Sequence, residues 1–264
     1  MAGKPKLGQN FLHDRQAIER IVSALGEISN RTVVEIGPGR GAITELLAER
    51  AGRLIAVELD NVLAAGLEHR FGEKLTVRRQ DVLRFDFTTA AAEAGGKLLV
   101  VGNLPYYITS PILMHLAGAA AAIERAIVMT QREVADRVTA EPGSREYGLL
   151  TVAMRLYGRT QSLFTLPPGA FSPPPDVYST VFRWSFAPRI AELGVEEKSF
   201  LELVKLCFQQ KRKTLGNNLR AAGMETVMVA RFCEEAQIAP TARAEALTLE
   251  QFAALWRAIH GGAK

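Results

Sequence analysis

Thr32 to Ile36 (TVVEI) has the make-up of a short buried strand. It runs straight into Gly37-Pro38-Gly39-Arg40-Gly41, then into a segment whose apolar positions Ile43, Leu46 and Leu47 recur at helical spacing. Strand, glycine loop and helix in that order point to an α/β fold. The loop also says where a ligand goes. Glycines permit positive φ and let a ligand approach the backbone, and the first N–H groups of the helix have no intrahelical partner. The same loop also serves as a plain turn in many α/β proteins, so the downstream strand ends decide between the two.

The glycines fall as G-x-G-x-G, whereas the pyrophosphate-binding fingerprint is G-x-G-x-x-G, with a third glycine for close packing at the helix start. This spacing disfavours a dinucleotide and suits S-adenosylmethionine (SAM), which has an amino acid moiety in place of the phosphates. Three further strand ends add to the pattern. Arg53 to Val57 (RLIAV) ends at Glu58, about twenty residues after the first glycine, where an acid can accept hydrogen bonds from ribose hydroxyls; Asp60 is a nearby rival. Leu75 to Arg79 (LTVRR) runs into Gln80-Asp81-Val82, which places Asp81 to receive an adenine amino group. Leu98 to Val101 leads into Asn103-Leu104-Pro105-Tyr106. Singly, each of these is an ordinary turn, capping or solvated residue. In order, they all lie at the carboxyl ends of successive strands, the edge where open α/β sheets bind ligands.

The Asn-x-Pro-aromatic turn brings an amide oxygen, a backbone carbonyl and an aromatic face toward one point. That arrangement suits a flat substrate with a conjugated amino group, whose nitrogen is a poor nucleophile because its lone pair is delocalised. Acceptance of both N–H bonds, by Asn103 Oδ1 and the Leu104 carbonyl, draws the nitrogen toward a tetrahedral state without a strong base. Pro105 fixes the turn, and Tyr106 stacks on the ring.

On these residues the chain resembles the bacterial and organellar small-subunit (16S-type) rRNA adenine N6-dimethyltransferases. The resemblance covers nearly the whole sequence: LGQNFL from Leu7, VVEIGPGRGAITELL, AVELD, QDVL, VGNLPYYITSPI, MTQREVADRV, Tyr147-Gly148, FSPPPDVYSTV and CFQQKRKTLGNNL. It implies a Rossmann-like SAM-dependent methyltransferase sheet closed by an antiparallel hairpin, with a small all-helical C-terminal domain. It assigns cofactor binding to Asn10, Leu12, Gly37, Gly39, Gly41, Glu58, Asp81, Val82 and Asn103, with Gln9 ordering the arm. Catalysis falls to Asn103, Leu104, Pro105 and Tyr106, with Phe171 covering the other face of a flipped adenine. Lys211, Arg212, Lys213 and Arg220 are the RNA-binding candidates. The implied reaction is direct, in-line methyl transfer to adenine N6, repeated to give dimethyladenine on two adjacent adenines in a loop near the 3′ end of the RNA during ribosome biogenesis. Two positions depart from the family pattern: Tyr107 stands where many relatives carry Asn, and Asp176 where many carry a basic residue.

The expected boundary lies between 188 and 189, with residues 1–188 as the SAM-binding catalytic domain and 189–264 as a helical RNA- or ribosome-binding domain. A chain of 264 residues, 48% hydrophobic, can bury one large core and a smaller second one. In the tail, Phe200, Leu201, Leu203, Val204, Cys207 and Phe208 recur at helical spacing, and Val227, Val229, Phe232, Leu247, Phe252, Leu255 and Trp256 continue a small helical core. A net charge of +4 points gently toward an acidic partner met through local basic patches, namely Arg78, Arg79 and Arg84 and the Lys211 to Lys213 run with Arg220. On its own a charge run is more often a solvated face.

Cys207 and Cys233 lack metal spacing, and His13, His69, His115 and His260 are scattered; these patterns argue against a metal site and a catalytic triad. No stretch approaches the ~20 apolar residues of a membrane span, and the start lacks a secretory signal. The expectation is therefore a cytoplasmic monomer acting on small-subunit rRNA within an immature 30S particle. The alternatives are a large-subunit methyltransferase of the macrolide-resistance type, methylation of a protein glutamine amide, and an assembly checkpoint with catalysis secondary.

Overall fold

The computed structural model describes residues 10–239 and 241–261. These form two compact units: the chain through Ala135 with Arg159–Ala187, and Asp136–Gly158 with the residues from Pro188 onward.

The first unit contains strands β1 (Phe11–Leu12), β2 (Thr32–Ile36), β3 (Arg53–Glu58), β4 (Thr76–Arg79), β5 (Leu98–Asn103), β6 (Ile123–Gln131), β7 (Gly158–Leu166), β8 (Phe171–Ser172) and β9 (Ser179–Phe186). Seven of them make one sheet in the order β4-β3-β2-β5-β6-β9-β7, while β1 pairs with β8 apart from it. The first five strands of that order run parallel, and β9 joins β6 antiparallel. The central strands are buried on both faces, as parallel strands covered by helices must be: Val33, Val34, Leu54 to Val57, Leu98 to Val101 and Ala126 to Met129 are all inside.

The topology fixes the place of a site. From β2 the chain winds outward through β3 to β4, then returns to lay β5 on the other side of β2. The crevice beyond the carboxyl ends of β2 and β5 is therefore a topological switch point, where open α/β sheets take ligands. The β2–β5 approach is tight at Gly102, where a Cβ would stand 2.7 Å from the Ile36 carbonyl oxygen.

The helices of this unit are α1 (Arg15–Ala24), α2 (Ala42–Arg50), α3 (Asn61–Phe71), α4 (Phe87–Ala94) and α5 (Thr109–Gly118); α6 (Arg132–Thr139) crosses into the second unit. Aspartates start three of them by accepting orphan backbone N–H groups: Asp14 for α1, Asp60 for α3 and Asp86 for α4. Asp60, the rival to Glu58, is thus a helix cap.

The second unit contains α7 (Leu149–Tyr157), α8 (Ile190–Leu193), α9 (Glu197–Cys207), α10 (Leu215–Ala221), α11 (Thr226–Glu235) and α12 (Leu249–His260). Its division from the first unit differs from a single cut at 188, because Asp136–Gly158 groups with the tail. The reason lies in contacts that the tail supplies. The Tyr147 ring lies 6.2 Å from that of Phe208, the Tyr157 hydroxyl donates to Glu197 Oε1 at 2.6 Å, and the Leu156 carbonyl accepts the Arg189 N–H. The expected helical core forms around Phe200, Leu203, Val204, Cys207, Val229, Phe232 and Phe252. Val227 is an exception, exposed on the outer face of α11. No helix among the described residues is long and apolar enough to cross a membrane.

Candidate active site

A cleft enclosing roughly 1080 Å³, part of it open to solvent, lies at the switch point. Its walls include Asn10, Leu12, Gly37, Gly39, Glu58, Asp81, Val82, Asn103, Leu104, Pro105 and Tyr106, so residues spread over almost a hundred positions converge as their order along the strands implied. Gly41 and Phe171 are not on those walls. Gln9 lies outside the described residues.

The glycine loop owes its composition to close approach. At Gly39, where φ is +57°, a Cβ would sit 3.0 Å from ring carbons of Phe11, and its N–H donates to Glu58 Oε2 at 3.1 Å. Gly41 is dictated by packing as well. It caps α2 in a left-handed conformation, and a Cβ there would lie 3.0 Å from Leu67 Cδ2 on α3.

Glu58, the last residue of β3, is buried, and each carboxylate oxygen accepts one backbone N–H: Oε2 from Gly39 and Oε1 from Asp60 at 2.9 Å. A carboxylate has about four acceptor sites, so capacity remains on the cleft side. Asp81 accepts the Leu83 N–H at 2.9 Å through Oδ1, which caps the short turn Val82–Arg84. It is a capping residue and a cleft residue at once.

Glu35 is a cleft residue that sequence reasoning passed over as part of a buried strand. It is 2% exposed and accepts the Thr44 hydroxyl at 2.6 Å. Burial pushes its carboxyl up to about 7, with the nearby Glu58 adding to the rise and the Thr44 bond opposing it. The signal was available, since an acid inside an otherwise apolar strand requires an explanation.

Asn103 ends β5. Its Nδ2 donates to the Asn10 carbonyl at 3.1 Å, and because a carbonyl can only accept, that contact fixes which side of the amide faces the arm. Oδ1 is then left buried without a partner among the described residues. An unsatisfied buried acceptor costs about 1–3 kcal/mol, a cost that a donating ligand removes. The turn beyond it is pinned throughout. The Leu104 N–H donates to the Met129 carbonyl at 2.9 Å, and the Pro105 carbonyl accepts both the Ile108 N–H and the Thr109 hydroxyl. Tyr106 is half-buried, which raises its phenol above the usual range, and its hydroxyl pairs with Ser179 Oγ at 2.8 Å.

Phe171 belongs to the core. Strand β8 sets it opposite Leu12, 2% exposed, among Leu166, Ala170 and Val181. The β1–β8 pairing turns its ring inward, away from the cleft walls.

The basic residues of the second unit sit on a braced loop. Asn218, buried in α10, donates to the carbonyls of Cys207 at 2.9 Å and Gln210 at 3.2 Å and accepts the Gln210 N–H at 3.0 Å. That bracing leaves Lys211, Arg212 and Lys213 exposed, with the Lys211 ammonium on the Arg145 carbonyl. The Arg220 guanidinium, also exposed, donates to Asn217 Oδ1 at 2.6 Å. In the first unit Arg79 is ion-paired with Glu68.

A family model described as ribosomal RNA adenine dimethylase matches residues 1–260. The chain belongs to that family. It is 61% identical over 258 residues to the ribosomal RNA small subunit methyltransferase A of Acidobacterium capsulatum, covering 97% of this chain and 91% of the relative. The protein of the same name from Koribacter versatilis is 47% identical, covering 99% and 96%. Among solved structures, the 23S rRNA methyltransferase ErmE superposes with a TM-score of 0.73 at 27% identity, covering 95% of this chain and 100% of that one. A dimethyladenosine transferase from Plasmodium falciparum shares the fold, with a TM-score of 0.77 at 22% identity over 93% and 95%. As a member of the adenine dimethylase family, the chain is a methyltransferase with a Rossmann-like sheet.

Proposed function

We propose that this protein dimethylates N6 of two adjacent adenines near the 3′ end of small-subunit rRNA, with SAM as methyl donor, acting as a cytoplasmic monomer on an immature 30S particle. The observation that carries the reading is the buried Asn103 Oδ1, oriented by Asn10 and lacking a donor among the described residues. An adenine amino group supplies that donor. Its second N–H goes to the Leu104 carbonyl, and with both protons held the N6 lone pair is freed from the ring and directed into the cleft. Tyr106 supports the base from one face.

The rest of the cleft fits SAM. Gly39 has no room for a side chain, Glu58 keeps acceptor capacity for ribose hydroxyls, and Asp81 Oδ2 is left for the adenine amino group of the cofactor. When bound, SAM supplies a methyl activated on a sulfonium. The N6–C bond forms as the S–C bond breaks, and the methylated nitrogen releases its proton to water. Catalysis here is by orientation, with no titrating base. Lys211, Arg212, Lys213 and Arg220 contribute salt-sensitive phosphate contacts, and the exposed Asp176 weakens such contacts locally.

The test is methyl transfer from labelled SAM to unmethylated small subunits, large subunits and naked rRNA, followed by mass-spectrometric nucleoside analysis. Dimethyladenine confined to small subunits is expected. Label in large-subunit RNA, or in none, overturns the reading.

A further inference from the structure

Few large apolar side chains among the described residues are left in solvent, and three of them stand on two segments joined beside the cleft wall. Tyr107, 60% exposed, follows Tyr106 on the cleft wall; Val177 and Tyr178, the latter 51% exposed, precede Ser179. The hydrogen bond between Tyr106 and Ser179 ties the two segments together. Ser179 lies opposite Gln131 in the β6–β9 ladder, and the Tyr178 carbonyl accepts the Arg132 N–H at 2.9 Å, so the second tyrosine is held at the sheet edge that carries Asn103. Neither exposed tyrosine is paired with another aromatic ring among the described residues.

We infer that Tyr107 and Tyr178 form a stacking platform for the unpaired bases on either side of the target adenine. The inference rests on the proposed adenine reaction. An enzyme that extrudes a base leaves that base's neighbours with an uncovered face, and exposed aromatic rings replace the lost stacking without regard to sequence. Tyr107 lines the pocket that takes the adenine, and Tyr178 adjoins the Ser179 that bonds Tyr106, so the occupant is the flanking nucleotide. Local charge favours bases over backbone, because the exposed Asp176 carboxylate beside Val177 repels phosphate.

The test uses the full chain, small subunits lacking the modification and saturating SAM, with subunit concentration varied. Tyr107→Ala and Tyr178→Ala each raise KM for subunits by about 5- to 100-fold, while Tyr107→Phe and Tyr178→Phe stay within about twofold of wild type, because stacking needs the ring and not the hydroxyl. Calorimetric affinity for SAM is unchanged in all four, and unfolding midpoints confirm that surface substitutions leave the fold intact. Wild-type KM in the Ala variants overturns the platform while leaving the adenine reaction standing. Phe variants as impaired as Ala variants overturn stacking in favour of a hydroxyl contact. A KM rise matched by lost SAM affinity moves Tyr107 to the cofactor and also overturns the platform. A wild-type protein that leaves small subunits unmodified removes the proposed function and the platform with it.

Discussion

Replacing Glu35 with Gln separates a carboxyl's packing from its charge. In the unfolded chain the group titrates at its ordinary value of 4.5; in the fold, burial moves it up to about 7. Below the lower value both states hold the proton, and the group contributes no pH dependence. Between the two values the unfolded chain releases its proton while the folded protein keeps it, so stability falls as pH rises, by up to about 1.4 kcal/mol per pH unit. Above about 7 the loss levels off near ~3 kcal/mol. Glu35 is fully buried, so solvent screening removes little of this. Glu35→Gln cannot titrate, and its amide oxygen still accepts the Thr44 hydroxyl. The variant is therefore expected to gain on wild type by ~3 kcal/mol between about pH 4.5 and pH 8, whatever constant offset the new amide introduces. Urea unfolding read by tryptophan fluorescence tests this. Trp184, buried in β9, reports the first unit once Trp256 of α12 is replaced by Phe in both proteins. Titrations elsewhere, apart from that of the coupled Glu58, are common to both and cancel. A difference between the two proteins that is the same at every pH refutes the assignment of a raised, stability-linked carboxyl to Glu35.

Three further outcomes concern the cleft and the basic loop. Asn103→Ala removes the acceptor for the substrate amino group and one of several groups assigned to SAM, with Glu58, Asp81 and the glycine loop left in place, so calorimetric SAM affinity stays within a few-fold while turnover falls by about a hundredfold or more; unaltered turnover sinks the role of the amide. Gly39→Ala forces a Cβ to 3.0 Å from Phe11 at a positive φ, costing about 1–2 kcal/mol of stability and weakening SAM binding; a variant with wild-type melting and affinity contradicts the described loop. Changing Lys211, Arg212 and Lys213 together to Gln flattens the dependence of log affinity for small subunits on log salt by roughly 2, without touching SAM binding. An unchanged slope shows that this loop meets no phosphate.

Whether a residue's role is legible in the sequence depends on whether chain order or three-dimensional packing sets it. The alternation of strand, glycine loop and helix gave the sheet, and strand ends gave Glu58, Asp81 and Asn103, because in a parallel sheet every carboxyl end faces the same edge. The surroundings of Gly41 and Phe171 were not legible, for the opposite reason. Whether a loop glycine touches a ligand or a neighbouring helix depends on Leu67, far along the chain, and whether an aromatic faces a cleft or a core depends on the β1–β8 pairing, which two-residue strands do not announce. Glu35 was hidden by its own strand: periodicity marks burial but does not say that a buried acid lines a cavity. The placement of Asp136–Gly158 with the tail likewise rests on long-range contacts of Tyr147 and Tyr157 that no local pattern encodes.

The β2–β5 ladder, four residue pairs from Val33↔Leu99 to Ile36↔Gly102, is also a seam between two inheritable parts. On one side β2, β3 and β4 carry Glu58, Asp81 and the glycine loop; on the other, β5, β6 and β9 carry the amide, the pinned turn and the tyrosines. Substitutions on the second side therefore reach the surroundings of the amide and the tyrosines before they reach Glu58, Asp81 or the glycine loop. At residue 102 the seam itself admits no side chain.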